Sequence, residues 1–358
     1  YGLSNLLLPI NAIMFALSLS GDSAVKAGSA VTLKDVARLA EVSEITVSRV
    51  LRDNGPISPA TRARVMEAVQ WTGYVRNSVA GSLASARSNL VGVVLPSLSN
   101  NVFAEVMAGI DAALANSGFQ PIVGVSDYGK AREEQLVSSM LAWKPAALIL
   151  TGLDHSHQTS RLLAGAGIRI IEIMEIDGNP VDVAIGLSHR DAGLATARHL
   201  VERGYRRFGF VGHDLDRDAR AAARYRGLCD GVAMAGLAPV AISILPGPSS
   251  VQLGTEGLRA LLASEPGCDV AVFSNDDMAV GGVFACMADG IALKRQLGIF
   301  GFNGLDLGQA LPAPLSTIRS PRMEIGQIAV QTFLDQRERP AAPTVINSGF
   351  QIIEGQTA

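Results

Sequence analysis

Five side chains, Glu44, Ile45, Ser48, Arg49 and Arg52, share one side of the run SEITVSRVLR when it is wound as a helix, because Val47, Val50 and Leu51 take the other. Such a face can read base edges. An arginine forks two hydrogen bonds to guanine, a glutamate accepts from cytosine, and an isoleucine meets a thymine methyl. A second group sits far along the chain at the ends of apolar runs that read as strands: Ser97, Thr151, Glu175, Asn275, Asp276 and Asn303, with Phe103 opening the helix after the first of them. Carboxylates, amides and hydroxyls gathered at strand ends can hold the vicinal hydroxyls of a small molecule, and an aromatic ring can cover its apolar face.

Catalysis finds less support. The two histidines of DHSH, Asp154 to His157, are two residues apart and do not share a helical face; no second ligand cluster accompanies them, so no metal is expected. Asp276 and Asp277 could be paired acids, but no set of base, nucleophile and oxyanion donor can be assembled, and no enzyme is expected. No complete phosphate-binding loop and no G-x-G-x-x-G occurs, so no cofactor is implied. The three cysteines, Cys229, Cys268 and Cys286, are odd in number and never spaced C-x-x-C, which fits a reducing cytoplasm rather than a disulfide framework.

The elements that must position these residues emerge from charge and periodicity. At 358 residues, 48% apolar and 18% charged, the chain is long and apolar enough for two or three globular domains. Its net charge of −3 is unevenly divided. Residues 31–87 carry eight Lys or Arg against five acids, a charge of +3; Asp22 and Lys26 cancel in the first thirty, leaving 88–358 at −6. A basic head on an acidic body suits a protein in which one part touches nucleic acid and the other does something else. The opening YGLSNLLLPINAIMFALSLSGDS is apolar, but no Lys or Arg precedes the apolar run and Pro9 and Asn11 interrupt it. Residues 1–30 are therefore read as a poorly ordered extension or a misassigned start, not a membrane span.

Within the head, Thr32 followed by Asp35 reads as a capping box for a first helix with Leu33, Val36, Ala37 and Ala40 inward. After a turn at Glu41-Val42, Ser43 caps the second helix. Ser58-Pro59 opens a third that carries Val65, Ala68 and Val69 to a stop at Gly73. Pattern alone leaves a generic three-helix bundle open beside a helix-turn-helix. Likewise, the composition of 77–88 leaves a flexible linker open.

The strings TLKDVARLAEVSEITVSRVL and ISPATRARVMEAVQWTGYVRNSVAGSLAS resemble, without a break, the DNA-binding head and hinge of the LacI/GalR family of bacterial repressors. The resemblance implies a DNA-binding domain over 31–76 and a hinge over 77–88. The helix from Ser43 would enter the major groove with Glu44, Ile45 and Arg49 at the base-reading positions. Thr32, Thr46 and Ser48 would serve phosphates or caps. The hinge, Asn77 to Ser85, would fold when two copies pair over the operator; Leu83 would wedge between base steps of the minor groove with Ala80 beside it. One departure is Glu41, where the family often has glycine, at a cost of about 1 kcal/mol if the backbone is left-handed there.

In the body, LVGVVLPSL, FAEVMAGIDAALANSG, FQPIVGVSD, EEQLVSSMLAWK and ALILTGLD set a β-α-β rhythm that continues through IRIIEIME, RRFGFVGHD, VAISILPG, DVAVFSND and LGIFGFNG. Residues 89–358 are expected to be an α/β body of two parallel-sheet lobes, 89–188 and 189–317, with LSTIRSP crossing back at Ser316 to Pro321. It resembles the periplasmic-binding-protein fold as well as the repressor family. The fold class is thus a small all-α helix-turn-helix head plus an α/β periplasmic-binding-protein-like body. By the resemblance, Arg224 in ARYRG matches the arginine that binds the sugar, and Asn275 and Asp276 in SNDDMAVG face the effector. LPSLSNNVFAEVMAGI, ALILT and FSNDDMAVG look most like the gluconate-utilisation repressors within the family; an aldonate would suit Arg224 as a carboxylate partner. The implied protein is a cytoplasmic homodimer, with a tetramer left open, that binds double-stranded operator DNA and a sugar or sugar-acid effector. The alternative is an exported sugar receptor that binds no DNA.

Overall fold

The computed structural model describes residues 31–53, 55–75 and 88–358. The hinge positions Asn77, Ala80 and Leu83 lie outside the described residues, as do residues 1–30. The chain divides into two compact units, the head and the body.

Three helices make the head: α1 (Leu33–Leu39), α2 (Glu44–Leu51) and α3 (Pro59–Thr72). Each begins where a side chain satisfies a free backbone N–H. The Thr32 hydroxyl accepts from Asp35 N, and the Asp35 carboxylate accepts from Thr32 N at 3.0 Å, completing the capping box. Ser43 and Ser58 accept from Thr46 N and Thr61 N, each at 3.2 Å. The three helices bury Val36, Ala37 and Ala40 from the first, Val47 and Val50 from the second, and Val65 and Ala68 from the third. These belong to the inward set that the helical spacing predicts; Leu33, Leu51 and Val69, also expected inward, are partly buried and pack against them.

The turn that aims α2 is a Schellman ending. Val42 N–H reaches Ala37 O at 3.0 Å and Glu41 N–H reaches Arg38 O at 3.3 Å, so the orphan carbonyls of α1 are satisfied and Val42 joins the core. Glu41 occupies the left-handed position of that motif, at φ 53. A side chain there carries a steric penalty that glycine lacks. We expect Glu41→Gly to stabilise the head by about 1 kcal/mol, read as a higher urea midpoint for head unfolding. An unchanged or lower midpoint would show that the turn absorbs the side chain without cost.

The body begins with β1 (Leu90–Leu95), α4 (Asn101–Leu114), β2 (Gln120–Val125), α5 (Lys130–Ala142), β3 (Ala147–Thr151), α6 (His157–Gly165), β4 (Arg169–Ile173) and β5 (Val183–Gly186). The chain then crosses to a second lobe: α7 (His189–Glu202), β6 (Phe208–His213), α8 (Ala219–Met234), β7 (Ala241–Leu245), α9 (Val251–Ser264), β8 (Val270–Phe273), α10 (Asp276–Asp289), β9 (Gly298–Phe300), α11 (Asp306–Gln309) and β10 (Thr317–Arg319). It returns as α12 (Arg322–Asp335) and β11 (Thr344–Asn347), then crosses again to β12 (Gln351–Ile353).

The first sheet has the order β11-β5-β4-β3-β1-β2 and the second β7-β6-β8-β9; all pairs in both are parallel, and β10 and β12 form a separate antiparallel pair. Helices cover both faces, which is why β1, β3, β4, β6 and β8 are buried almost throughout. The division at residue 317 needs extension, because α12 packs on α4 of the first lobe and β11 pairs with β5. The lobes are therefore joined by three strands of chain, near 187, 320 and 349.

Helices α7 and α8 pack backbone to backbone. A Cβ on Gly193 would stand 2.0 Å from Arg224 O, and one on Gly227 would stand 2.0 Å from Arg190 O. Only glycine allows that approach, and it brings the start of α7 against Arg224.

Candidate functional site

Ligands of open parallel sheets bind beyond the carboxyl ends of the strands, and here a cavity of about 320 Å3 opens at those ends, walled by both lobes. From the first lobe come Ser97, Ser99, Asn100, Phe103, Asp127 and Tyr128; the second supplies the starts of α7, α8 and α10 and the loop after β9. Four helices thus begin on this cavity. Asn100, Ser188, Asp218 and Asn275 cap them, and the N-terminal end of each helix favours negative charge.

Three arginines on one face of α8 and its approach, Arg217, Arg220 and Arg224, reach into the space. Arg224 is committed: it donates to His189 Nδ1 at 3.0 Å and to Ser274 O at 2.8 Å, and its guanidinium lies 4.0 Å from the Phe302 ring centroid. Burial lowers its pKa to about 10, still leaving it a cation at neutral pH. His189 Nε2 lies 2.8 Å from Met174 O, a carbonyl that can only accept, so Nε2 carries the proton and Nδ1 is free to accept from Arg224. Burial, then Arg224 and Arg220, hold the imidazole well below its ordinary pKa, and it stays neutral.

Arg220 differs from its neighbour. It faces the Phe103 ring at 6.0 Å and makes no hydrogen bond or ion pair among the described residues. Arg217 donates to Asp127 O at 2.8 Å across the cleft. Burial pushes Asp218 up, but Arg220, Arg224 and the Ala221 N–H that it caps outweigh this and hold its carboxyl below the usual range. Burial alone raises Asp277, which also lines the cavity.

On the head, Glu44, Ile45 and Arg49 project from α2 into solvent, Ile45 with 66% of its surface exposed. Together with Leu33, Ser48 and Arg52 they surround a shallow depression. Arg49 and Arg52 form no ion pair among the described residues. An exposed isoleucine flanked by a glutamate and an arginine, neither in an ion pair among the described residues, offers both apolar and charged groups to a docking partner.

Residues 32–77 match the family of bacterial regulatory proteins, lacI family, and residues 88–349 match the periplasmic binding proteins and sugar binding domain of LacI family. The chain belongs to the LacI family. It is 36% identical over 324 residues to the HTH-type transcriptional regulator GntR of Pseudomonas aeruginosa, covering 90% of this chain and 94% of that one. To the Escherichia coli regulator GntR it is 32% identical, covering 90% and 97%. A solved LacI family transcriptional regulator from Silicibacter pomeroyi superposes with a TM-score of 0.87 at 42% identity, over 91% of this chain and 99% of that structure. This LacI-family chain is a DNA-binding transcriptional regulator with a sugar-binding domain, and its relatives are regulators, not enzymes. The receptor alternative that lacks DNA binding gives way to the head's match. No helix among the described residues is long and apolar enough to cross a membrane.

The regulator's cavity gathers Ser97, Phe103, Arg224, Asn275 and Asn303 of the residues expected there. Three others need correction. Asp276 turns into the protein, accepting from Thr317 Oγ1 and Leu305 N, each at 2.6 Å, and burial pushes its pKa to about 6. Its neighbour Asp277 takes the wall, because successive residues of a helix point about 100° apart. Thr151 bonds Val94 O at 3.3 Å within the sheet. Glu175 stands behind the wall, accepting from Leu153 N at 3.4 Å beside Arg220, its pKa raised by burial. Asn275 spends its oxygen on the Met278 N–H, so its amide is what remains to offer.

Sequence reasoning missed Arg217, Arg220 and His189. The arginines were visible as a basic stripe at three- and four-residue spacing after β6; His189 is hidden because β5 is too short to signal a strand end. On the head, Ser43 and Thr46 are occupied with each other at the cap of α2, at 2.9 Å, and Thr32 with Asp35. His155, of the DHSH pair, is held by two carboxylates: Nδ1 lies 2.7 Å from Glu133 Oε1 and Nε2 3.3 Å from Glu172 Oε1. No group of metal-binding side chains occurs among the described residues.

Proposed function

We propose that this regulator is a cytoplasmic repressor, acting as a homodimer on a near-palindromic operator, whose DNA affinity is changed by a six-carbon sugar acid, gluconate or a close relative. The observation that carries the effector class is Arg220, an arginine without a hydrogen-bonding partner among the described residues, at the mouth of four helix N-termini. A carboxylate entering the cavity meets this guanidinium, while Ser97, Asn275, Asp277 and Asn303 offer partners for hydroxyls and Phe103 and Phe302 offer apolar faces. The similarity to the GntR regulators supports the same choice.

Glu44, Ile45 and Arg49 read bases in the major groove, with Ser48 and the capped ends of α1 and α2, at Thr32, Ser43 and Thr46, toward phosphates. Asn77, Ala80 and Leu83 take the minor groove at the operator centre. The effector acts by binding the free and DNA-bound forms with different affinity.

The test is an operator fragment shifted in a gel and challenged with gluconate, other sugar acids, neutral sugars and polyols. A sugar acid should change the shift where the uncharged polyol of the same length does not. A response to neutral sugars alone would overturn the effector class, and no shift at low salt would overturn operator binding.

A further inference from the structure

We infer that Arg322 is a positioning residue for the effector site, acting through Asn303; the inference rests on the reading of the cleft as that site. Arg322 begins α12, immediately after the chain returns to the first lobe, and its side chain is only 4% exposed. Its guanidinium forks onto Glu105 of α4, Nε to Oε2 at 3.1 Å and Nη2 to Oε1 at 2.8 Å. Its third arm, Nη1, donates to the backbone carbonyl of Asn303 in the second lobe. One arginine therefore binds the helix that carries Phe103 to the residue that lines the opposite wall.

Asn303 needs such a hold. It sits at φ 122, a backbone conformation that an L residue adopts rarely and keeps only when its surroundings impose it. Its N–H is fixed to Ile318 O at 2.8 Å and its carbonyl to Arg322, so both sides of the residue are tied down. Released at the carbonyl, an asparagine relaxes to negative φ and swings its side chain away from the cavity. The arginine thus ties the first lobe to the direction of one amide in the second.

Gluconate titrated calorimetrically into the full-length protein tests this. Arg322→Met should weaken binding roughly tenfold, the loss of one well-placed hydrogen-bonding group in a buried site. Asn303→Ala should weaken it by a similar factor, and the double variant should be no weaker than Asn303→Ala alone, because Arg322 works through that side chain. Additive losses would overturn the inference. Glu105→Gln keeps the bond to Asn303 and should hold its affinity within about twofold while lowering the melting temperature; a tenfold loss there would assign the effect to packing of α4. Arg322→Lys, which keeps the charge without the fork, replaces the methionine variant if that one does not fold. If the wild type ignores gluconate, the effector reading fails, and hydrogen exchange without ligand decides the positioning. Faster exchange confined to 301–305 in the variant supports it; a change spread over α4 and α12 overturns it.

Discussion

Replacing His155 by leucine should destabilise the body by about 3–5 kcal/mol at pH 7, the cost of removing one partner from a buried ionic group. The imidazole lies between Glu133 of α5 and Glu172 of β4, and its side chain is 2% exposed. Glu172 is equally buried and also accepts from Val181 N at 2.6 Å. Burial alone would drive the histidine neutral, but the hydrogen bond to Glu133 and the charges of both glutamates prevail and raise its pKa to about 9. The contact with Glu172 is an attraction of charges out of line for a hydrogen bond, so Glu133 is the stronger partner.

The sign of the pH dependence follows. A histidine whose folded pKa is above its unfolded value of about 6.5 contributes stability that is complete below that value and disappears as pH rises through about 9. Urea unfolding of the wild type should therefore weaken between pH 7 and 10. The leucine variant should lack this slope, and should recover as pH falls and the two carboxyls take up protons. A loss under 1 kcal/mol at pH 7 would show that water reaches the cluster.

Arg220→Met should weaken gluconate binding about a hundredfold, close to 3 kcal/mol, as expected when a charged partner leaves a desolvated site. Folding should lose only the charge support that Arg220 gives the buried carboxyls of Asp218 and Glu175, since it makes no hydrogen bond or ion pair among the described residues. Arg224 makes the contrast: its bonds to His189 and the Ser274 carbonyl tie α8 to α7 and β8, so its replacement should cost stability as well as affinity. Calorimetry with gluconate and with the matching neutral polyol separates charge recognition from shape. A gluconate affinity that stays within about threefold in Arg220→Met would remove the carboxylate from this end of the cavity.

Periodicity made most of the fold legible. The long strands of the body are continuous apolar runs because both faces are covered, and the helices of the head announce themselves by caps such as Thr32 and Ser58-Pro59. What escaped was short. VAIG, TVIN and QII, the residues of β5, β11 and β12, are three or four long and carry too little pattern to register, and with the last two went the third crossing, near 349. The site was half legible for a related reason. Strand ends pointed to Asn275 and Asn303, but which of Asp276 and Asp277 faces the cavity depends on the rotation of α10, and the importance of Arg220 depends on partners it lacks.

The triple crossing bears on how the chain is made. Val183 of β5 pairs with Thr344 of β11, and Thr317 of β10 with Ile353 of β12, so each lobe awaits residues near position 350 before its last strand can pair. Neither lobe is a continuous stretch that could complete itself as it leaves the ribosome. The head, by contrast, closes its core within residues 33–74. A nascent chain would therefore present a finished head, with its exposed α2, long before it holds a body able to answer a ligand.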